Sequence, residues 1–217
     1  GGTDLLLEIQ QGNHPPLDTL VDISQISELQ TVELVGDRLS IGAAATVREI
    51  AESELVKKHA TALADACALI GGPQVRNSAT LGGNVAHALP AADGMISLIA
   101  MNATALIFSK HGYSEKSILG LFKGPGITAL QKDEILVGFH FPLKQKGEGS
   151  AFDRVMRPQG VALPIINLSV WMRRKKDFVE DIRVVFGPSG PVPTRAEQVE
   201  LVFKGQKLSS DVFERAK

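Results

Sequence analysis

Residues 77–84 read Asn-Ser-Ala-Thr-Leu-Gly-Gly-Asn, and this run has the residue types and spacing best suited to chemistry. Adjacent Gly82 and Gly83 lack side chains, so backbone N–H groups can turn inward and a ligand can approach the main chain. Thr80 and Asn84 flank them with groups able to bond anionic oxygens. A concave run of N–H groups of this kind is a nest, suited to a phosphate or pyrophosphate. The alternative reading is a purely structural turn. Gly1-Gly2-Thr3-Asp4, followed by Leu5-Leu6-Leu7, reads as a second glycine turn feeding a short helix, whose N-terminus attracts anions, with a frayed terminus as the alternative reading. Two such turns suit the two phosphates of a dinucleotide. Neither follows Gly-x-Gly-x-x-Gly, and no Gly-Lys-Ser/Thr occurs, so a Rossmann turn and a P-loop are both unsupported.

Other candidates are less specific. His87 lies close to the second turn, as a ligand contact or a surface histidine. Asp93, just after Pro90, can bond a sugar hydroxyl or simply be a first-turn acid favoured by the helix dipole. His14, His59, His111 and His140 have no metal-ligand spacing to one another or to Cys67, which reads as a core residue. No nucleophile elbow or Ser/His/Asp arrangement stands out. Arg173-Arg174-Lys175-Lys176 reads as a solvated hairpin tip, with a docking patch for an acidic partner as the alternative.

The elements that must position these residues can be read from periodicity and punctuation. Strands are expected at 17–23, 31–35 and 38–43, the last two joined by the turn pair Gly36-Asp37. Thr46 and Glu49 form a capping box that opens a helical region in two pieces, running to Ile70. Gly71-Gly72-Pro73 ends it. Residues 78–88 are short-side-chain-rich and loop-like, a helix is expected from Pro90 to about Met101, and strands at 104–109 and 134–141. Residues 144–149 (Lys-Gln-Lys-Gly-Glu-Gly) read as a linker between two domains, 1–143 and 150–217. The second domain should hold three strands (151–156, 165–173, 179–186) and two helices (196–204, 209–216).

Composition removes several functions. The 217 residues carry 23 Lys+Arg against 24 Asp+Glu, a formal charge of −1 that offers no field for a phosphate backbone. Aromatic residues make up only 5%, which also disfavours base stacking, so no nucleic-acid partner is expected. One cysteine excludes a disulfide framework and an iron–sulfur cluster held by this chain's own thiolates. The most apolar stretch, residues 95–108, is interrupted by Ser97, Asn102 and Thr104 and falls short of the ~20 residues of a membrane span. With no signal peptide visible, the expected compartment is the cytoplasm.

The two glycine turns, Gly1-Gly2-Thr3-Asp4-Leu5 and Thr80-Leu81-Gly82-Gly83-Asn84, together with Val75-Arg76-Asn77 before the second, resemble the FAD-binding (medium) subunit of molybdenum hydroxylases, the carbon monoxide dehydrogenase and xanthine dehydrogenase type. The resemblance continues through Ala88, Pro90, Asp93, Asp133-Glu134-Ile135-Leu136 and Pro142, then through 152–157 and 187–195. It implies an α+β fold: a vanillyl-alcohol-oxidase-type FAD-binding domain followed by a small domain of three strands and helices. It also implies FAD with its pyrophosphate between the turns, held by Gly1, Gly2, Thr3, Asp4 and Leu5 on one side. Thr80, Gly82, Gly83 and Asn84 would hold the other, largely through backbone N–H groups. By the same resemblance Asp93 binds the cofactor's polar chain, His87 lies on the flavin side, and Ile70 and Leu130 wall the site.

The implied role is electron transfer. FAD would accept electrons from [2Fe–2S] clusters on a small subunit and pass them to an external acceptor, while a molybdopterin-bearing large subunit oxidises the substrate. A stand-alone flavin oxidoreductase, or a scaffold subunit that has lost FAD, are the alternative functions. The residues Arg157-Pro158-Gln159-Gly160-Val161 depart from the family pattern, which has an acidic residue after an arginine pair. The chain also starts at the first glycine turn and stops at Lys217 in or near a helix, so a flavin subunit trimmed at both ends is expected.

Overall fold

A computed structural model describes residues 1–157 and 163–217. The 157–161 departure therefore lies outside the described residues from Pro158 onward.

The first half begins with α1 (Leu5–Gln10), β1 (Val32–Val35) and β2 (Arg38–Gly42). Then come α2 (Val47–Glu52), α3 (Glu54–His59), α4 (Thr61–Leu69), α5 (Pro73–Arg76), α6 (Leu81–Ala86) and α7 (Asp93–Ala100). Five further strands complete it: β3 (Thr104–Ser109), β4 (Gly112–Ser117), β5 (Phe122–Gly124), β6 (Ile127–Thr128) and β7 (Ile135–Pro142). Strands β1-β2-β7-β3-β4 make one antiparallel sheet in that order. Alternation sends Leu39, Ile41, Ala105, Ile107, Phe139 and Phe141 to a single buried face, on which Val47, Ile50, Leu63, Leu81, Met95 and Leu98 pack. Every residue of α7 is buried, as expected of a helix apolar on nearly all sides.

The second half holds β8 (Glu148–Met156), β9 (Pro164–Lys175), β10 (Phe178–Gly187), β11 (Thr194–Arg195), α8 (Glu197–Phe203) and α9 (Ser210–Arg215). The sheet order is β11-β10-β9-β8, so the three long strands carry a two-residue fourth at one edge. One face packs on α8 and α9 through Val179, Ile182, Val184, Phe203 and Val212. The opposite face sends Trp171 and Val185 into the core of the first half. Arg183 sits over Trp171, its guanidinium carbon 3.6 Å from the ring centre, and its Nε donates to the Ala100 carbonyl at 2.6 Å. The second sheet thus grips the C-terminal end of α7.

Several expectations hold in detail. Thr46 Oγ1 accepts from the Glu49 N–H at 3.2 Å while Glu49 Oε2 accepts from the Thr46 N–H at 2.9 Å, so the capping box is formed. Val35 pairs with Arg38 around the Gly36-Asp37 turn. The basic run ends at a tight hairpin, with Phe178 opposite Lys175.

Others are corrected. Residues 17–23 form no strand, and Leu17, Leu20, Val21 and Ile23 are exposed, because no neighbouring strand offers them a ladder. The helical region has three pieces, since Ser53 ends α2 and caps α3 through a hydrogen bond from Val56 N–H. The loop expected at 78–88 contains α6: Thr80 caps it, and burial of Leu81 and Val85 outweighs the poor helix propensity of the glycine pair. Helix α7 starts at Asp93 rather than Pro90, and β8 begins at Glu148, within the stretch read as a linker. Strand β4 carries too many polar residues (Ser114, Glu115, Lys116) to stand out by pattern, being an exposed edge.

Candidate functional site

The two glycine turns meet. Gly1 packs against the Ser78 carbonyl so closely that a Cβ there would overlap it. Gly2 has φ +71°, the left-handed region that favours glycine, which lets the chain turn into α1. Leu6 N–H then donates to the Gly2 carbonyl and Glu8 N–H to the Asp4 carbonyl, both at 2.9 Å. Among the described residues, no protein acceptor faces the N–H groups of Thr3, Asp4 or Leu5. Glu8 Oε1 lies 3.6 Å from His87 Nε2, tying α1 to the end of α6.

Between the turns lies a cavity of about 490 Å³, in the size range of small-molecule sites. It is lined by Gly1, Gly2, Thr3, Asp4, Leu5, Ile70, Thr80, Gly83, Asn84, His87 and Asp93, which are eleven of the thirteen residues expected from sequence. The remaining two are elsewhere. Leu130 is partly buried against the main core instead of walling the cavity. Gly82 is turned away from it: its N–H donates to the Ala43 carbonyl at 2.9 Å, and a Cβ would lie 2.6 Å from Ala43.

The second turn is therefore not an open nest. Leu81 N–H donates to Ala45, Gly82 N–H to Ala43, and Gly83 N–H to Thr80 Oγ1 at 3.1 Å. These N–H groups close the fold, because α6 must dock its first turn on the segment entering α2. What this turn offers the cavity is the Thr80 hydroxyl hydrogen and the Asn84 side chain. Asn84 Oδ1 is itself used, accepting from the Met95 N–H at 3.2 Å and so capping α7, whose own N-cap Ala92 has no side-chain oxygen.

Two arginines brace the site, and of these Arg154 lines the cavity itself. Arg76 Nη1 donates to the carbonyls of Gly71 at 2.6 Å and Ile70 at 3.2 Å, holding the apolar side of the cavity. Arg154, on β8, reaches in from the second sheet, where its Nη1 meets Asp93 Oδ2 at 2.6 Å and its Nη2 donates to the Leu69 carbonyl at 2.7 Å. Asn167 Nδ2 donates to Asp93 Oδ1 at 2.7 Å. Burial pushes the Asp93 carboxyl above the usual range, opposed by Asn167 and Arg154. Burial also pushes up the Cys67 thiol, helped by the Asp93 charge, so Cys67 is an inert core group. Sequence reasoning missed Arg154 as a wall residue, since nothing local links it to Asp93, 61 positions away.

Among the described residues there is no cluster of His, Cys, Asp and Glu able to hold a metal ion, and no helix is long and apolar enough to cross a membrane. In this α+β protein, donors with no acceptor among the described residues at a glycine turn, a Cβ-free approach, an apolar wall at Ile70 and a buried carboxylate make a cavity suited to an anionic, hydroxyl-bearing ligand.

The comparisons name that cofactor. The FAD binding domain in molybdopterin dehydrogenase matches residues 1–144, and the CO dehydrogenase flavoprotein C-terminal domain matches residues 150–217. The chain belongs to this family of flavoproteins in molybdenum-dependent dehydrogenases, and its cofactor is FAD. It is 32% identical over 216 residues to the xanthine dehydrogenase FAD-binding subunit of Escherichia coli, covering 99% of this chain and 74% of that one. It is 33% identical to the glyceraldehyde dehydrogenase medium chain of Sulfolobus acidocaldarius, over 90% of this chain and 69% of that one. The solved carbon monoxide dehydrogenase of Hydrogenophaga pseudoflava, in a form lacking the Mo-pyranopterin moiety, superposes with a TM-score of 0.93 at 28% identity. That match covers 99% of this chain and 74% of the other.

Proposed function

We propose that this chain is the electron-transfer subunit of a cytoplasmic molybdenum hydroxylase complex. It would take electrons from [2Fe–2S] clusters on a small subunit and deliver them to an external acceptor, with substrate oxidised on a molybdopterin-bearing large subunit. The observation that carries this reading is the convergence of both glycine turns on one cavity. Relatives described as a FAD-binding subunit and a medium chain support it.

In this reading the N–H groups of Thr3, Asp4 and Leu5 bind the FAD pyrophosphate, with the Thr80 hydroxyl and Asn84 amide on the opposite side. Gly1, Gly2 and Gly83 let the backbones approach, and Ile70 packs against the apolar part. His87 closes the flavin side. Asp93 accepts from hydroxyls of the cofactor's polar chain, using lone pairs left by Arg154 and Asn167. Bound FAD supplies the redox chemistry, moving electrons singly or in pairs. The protein binds, orients and shields it, and no residue of this chain needs to transfer a proton. That agrees with the lack of a nucleophile–base constellation in the sequence.

Purification of the full-length protein from its native host tests the complex. Co-purification of a [2Fe–2S] protein and a molybdenum protein, with flavin reduced when the complex is given its substrate, is the expected result. A flavoprotein that isolates alone and turns over a substrate by itself would establish a stand-alone oxidoreductase instead.

A further inference from the structure

Asp93 enters the cavity from the first position of α7, but both of its carboxylate oxygens are held from the other half of the molecule. Asn167 Nδ2 donates to Oδ1 at 2.7 Å and Arg154 Nη1 to Oδ2 at 2.6 Å. Arg154 and Asn167 are directly opposite on β8 and β9, so the second sheet presents the two donors side by side. Asn167 Nδ2 also donates to the Ala91 carbonyl at 3.1 Å, in the segment that lines the cavity between α6 and α7. Arg154 Nη2 holds the Leu69 carbonyl, next to Ile70.

The arrangement leaves polar atoms unsatisfied. Asn167 and Ser169 are fully buried, yet Asn167 Oδ1, Ser169 Oγ and Arg154 Nε have no hydrogen-bond partner among the described residues. Each such group costs desolvation energy without return. A sheet built for stability alone would bury apolar side chains here, as its neighbours Phe152 and Trp171 are buried.

We propose that Asn167 is a positioning residue for the cofactor site: it orients the Asp93 carboxylate and the Ala91 loop, while Arg154 supplies the neutralising charge. The inference rests on the reading of Asp93 as an acceptor for hydroxyls of FAD. Asn167 touches no cofactor itself. Its amide directs one oxygen of Asp93, and the lone pairs left over face the cavity. The second sheet is then a working part of the flavin site.

The full chain, stripped of flavin, is titrated with FAD and separately with ADP, which carries the pyrophosphate but lacks the polyhydroxyl chain. In Asn167→Leu, FAD affinity should fall about tenfold or more, the scale of a hydrogen bond to a charged group, while ADP affinity stays as in the wild type. Asn167→Ser, smaller and still able to donate, should recover part of the loss. Asp93→Asn should also weaken FAD, and adding Asn167→Leu to it should cost nothing further. Unchanged FAD affinity in both Asn167 variants would overturn the proposal, as would an equal loss of FAD and ADP. A wild-type protein that binds no FAD would overturn the cofactor-site reading along with it, a result distinct from the other two.

Discussion

Gly82 and Ala43 meet backbone to backbone: the Gly82 N–H donates to the Ala43 carbonyl at 2.9 Å, and a Cβ on Gly82 would lie 2.6 Å from both that oxygen and the Ala43 Cβ. The two glycines of the second turn therefore have different jobs. Gly82 closes the fold behind the cavity, and Gly83 faces the cavity.

Gly82→Ala should destabilise the flavin-free protein by about 1–3 kcal/mol through overpacking against Ala43. Gly83→Ala brings a Cβ to 3.0 Å from Thr80 Oγ1, where it crowds the cap and the cavity rim. Its main effect should be on FAD affinity. Urea denaturation with and without FAD separates the two. Equal stability of flavin-free Gly82→Ala and wild type would contradict the assignment.

Thr80 both caps α6 and lines the cavity. Thr80→Ala should lose about 1 kcal/mol of stability with the cap and weaken FAD as well, whereas Thr80→Ser should keep both. Denaturation midpoints and flavin titration of the two variants provide the check. A Thr80→Ala protein with wild-type values in both measurements would refute the dual role.

His59 should make the fold acid-sensitive. Burial holds its imidazole below the usual 6.5, assisted by Lys58 and Lys144, and its neutral Nδ1 accepts from the Lys144 N–H at 3.2 Å. The unfolded chain therefore binds the proton more readily, so this contribution is present above about pH 6.5 and is lost as pH falls below it. His59→Gln should lessen the fall in thermal midpoint between about pH 7.5 and about pH 5.5. An identical fall in both proteins would show that His59 contributes nothing to it.

Removing one member of the Arg154–Asp93 pair should cost more than removing both charges. Both side chains are buried, so Arg154→Met strands a carboxylate and should destabilise by about 3–5 kcal/mol. Adding Asp93→Asn should restore much of that. A double-mutant cycle by chemical denaturation reads the coupling, and strictly additive losses would exclude it.

What could be read in the sequence was local. The Thr46–Glu49 box and the Gly36-Asp37 hairpin each complete their bonding within four residues, so the residues themselves state the structure. The clustering of both glycine turns with His87 and Asp93, some 80 to 90 positions apart, came from the resemblance to a family and not from local pattern. Helix α6 was missed because two glycines argue against a helix. The signal was Thr80 as cap with Leu81 and Val85 four apart on one buried face. Residues 17–23 alternate as a strand does, but alternation supplies only a face, and a strand also needs a neighbour. Arg154 and Asn167 could not be found, since their partner Asp93 is 61 and 74 positions away and only the packing of β8 and β9 against α7 brings them together.

The most direct test of the account is the absorbance spectrum and FAD response of the purified full-length protein. Bound flavin should give bands at about 370 and about 450 nm. FAD at about 100 times its dissociation constant should stabilise the flavin-free protein by about 2.7 kcal/mol. A colourless protein whose thermal midpoint does not move with added FAD would contradict it.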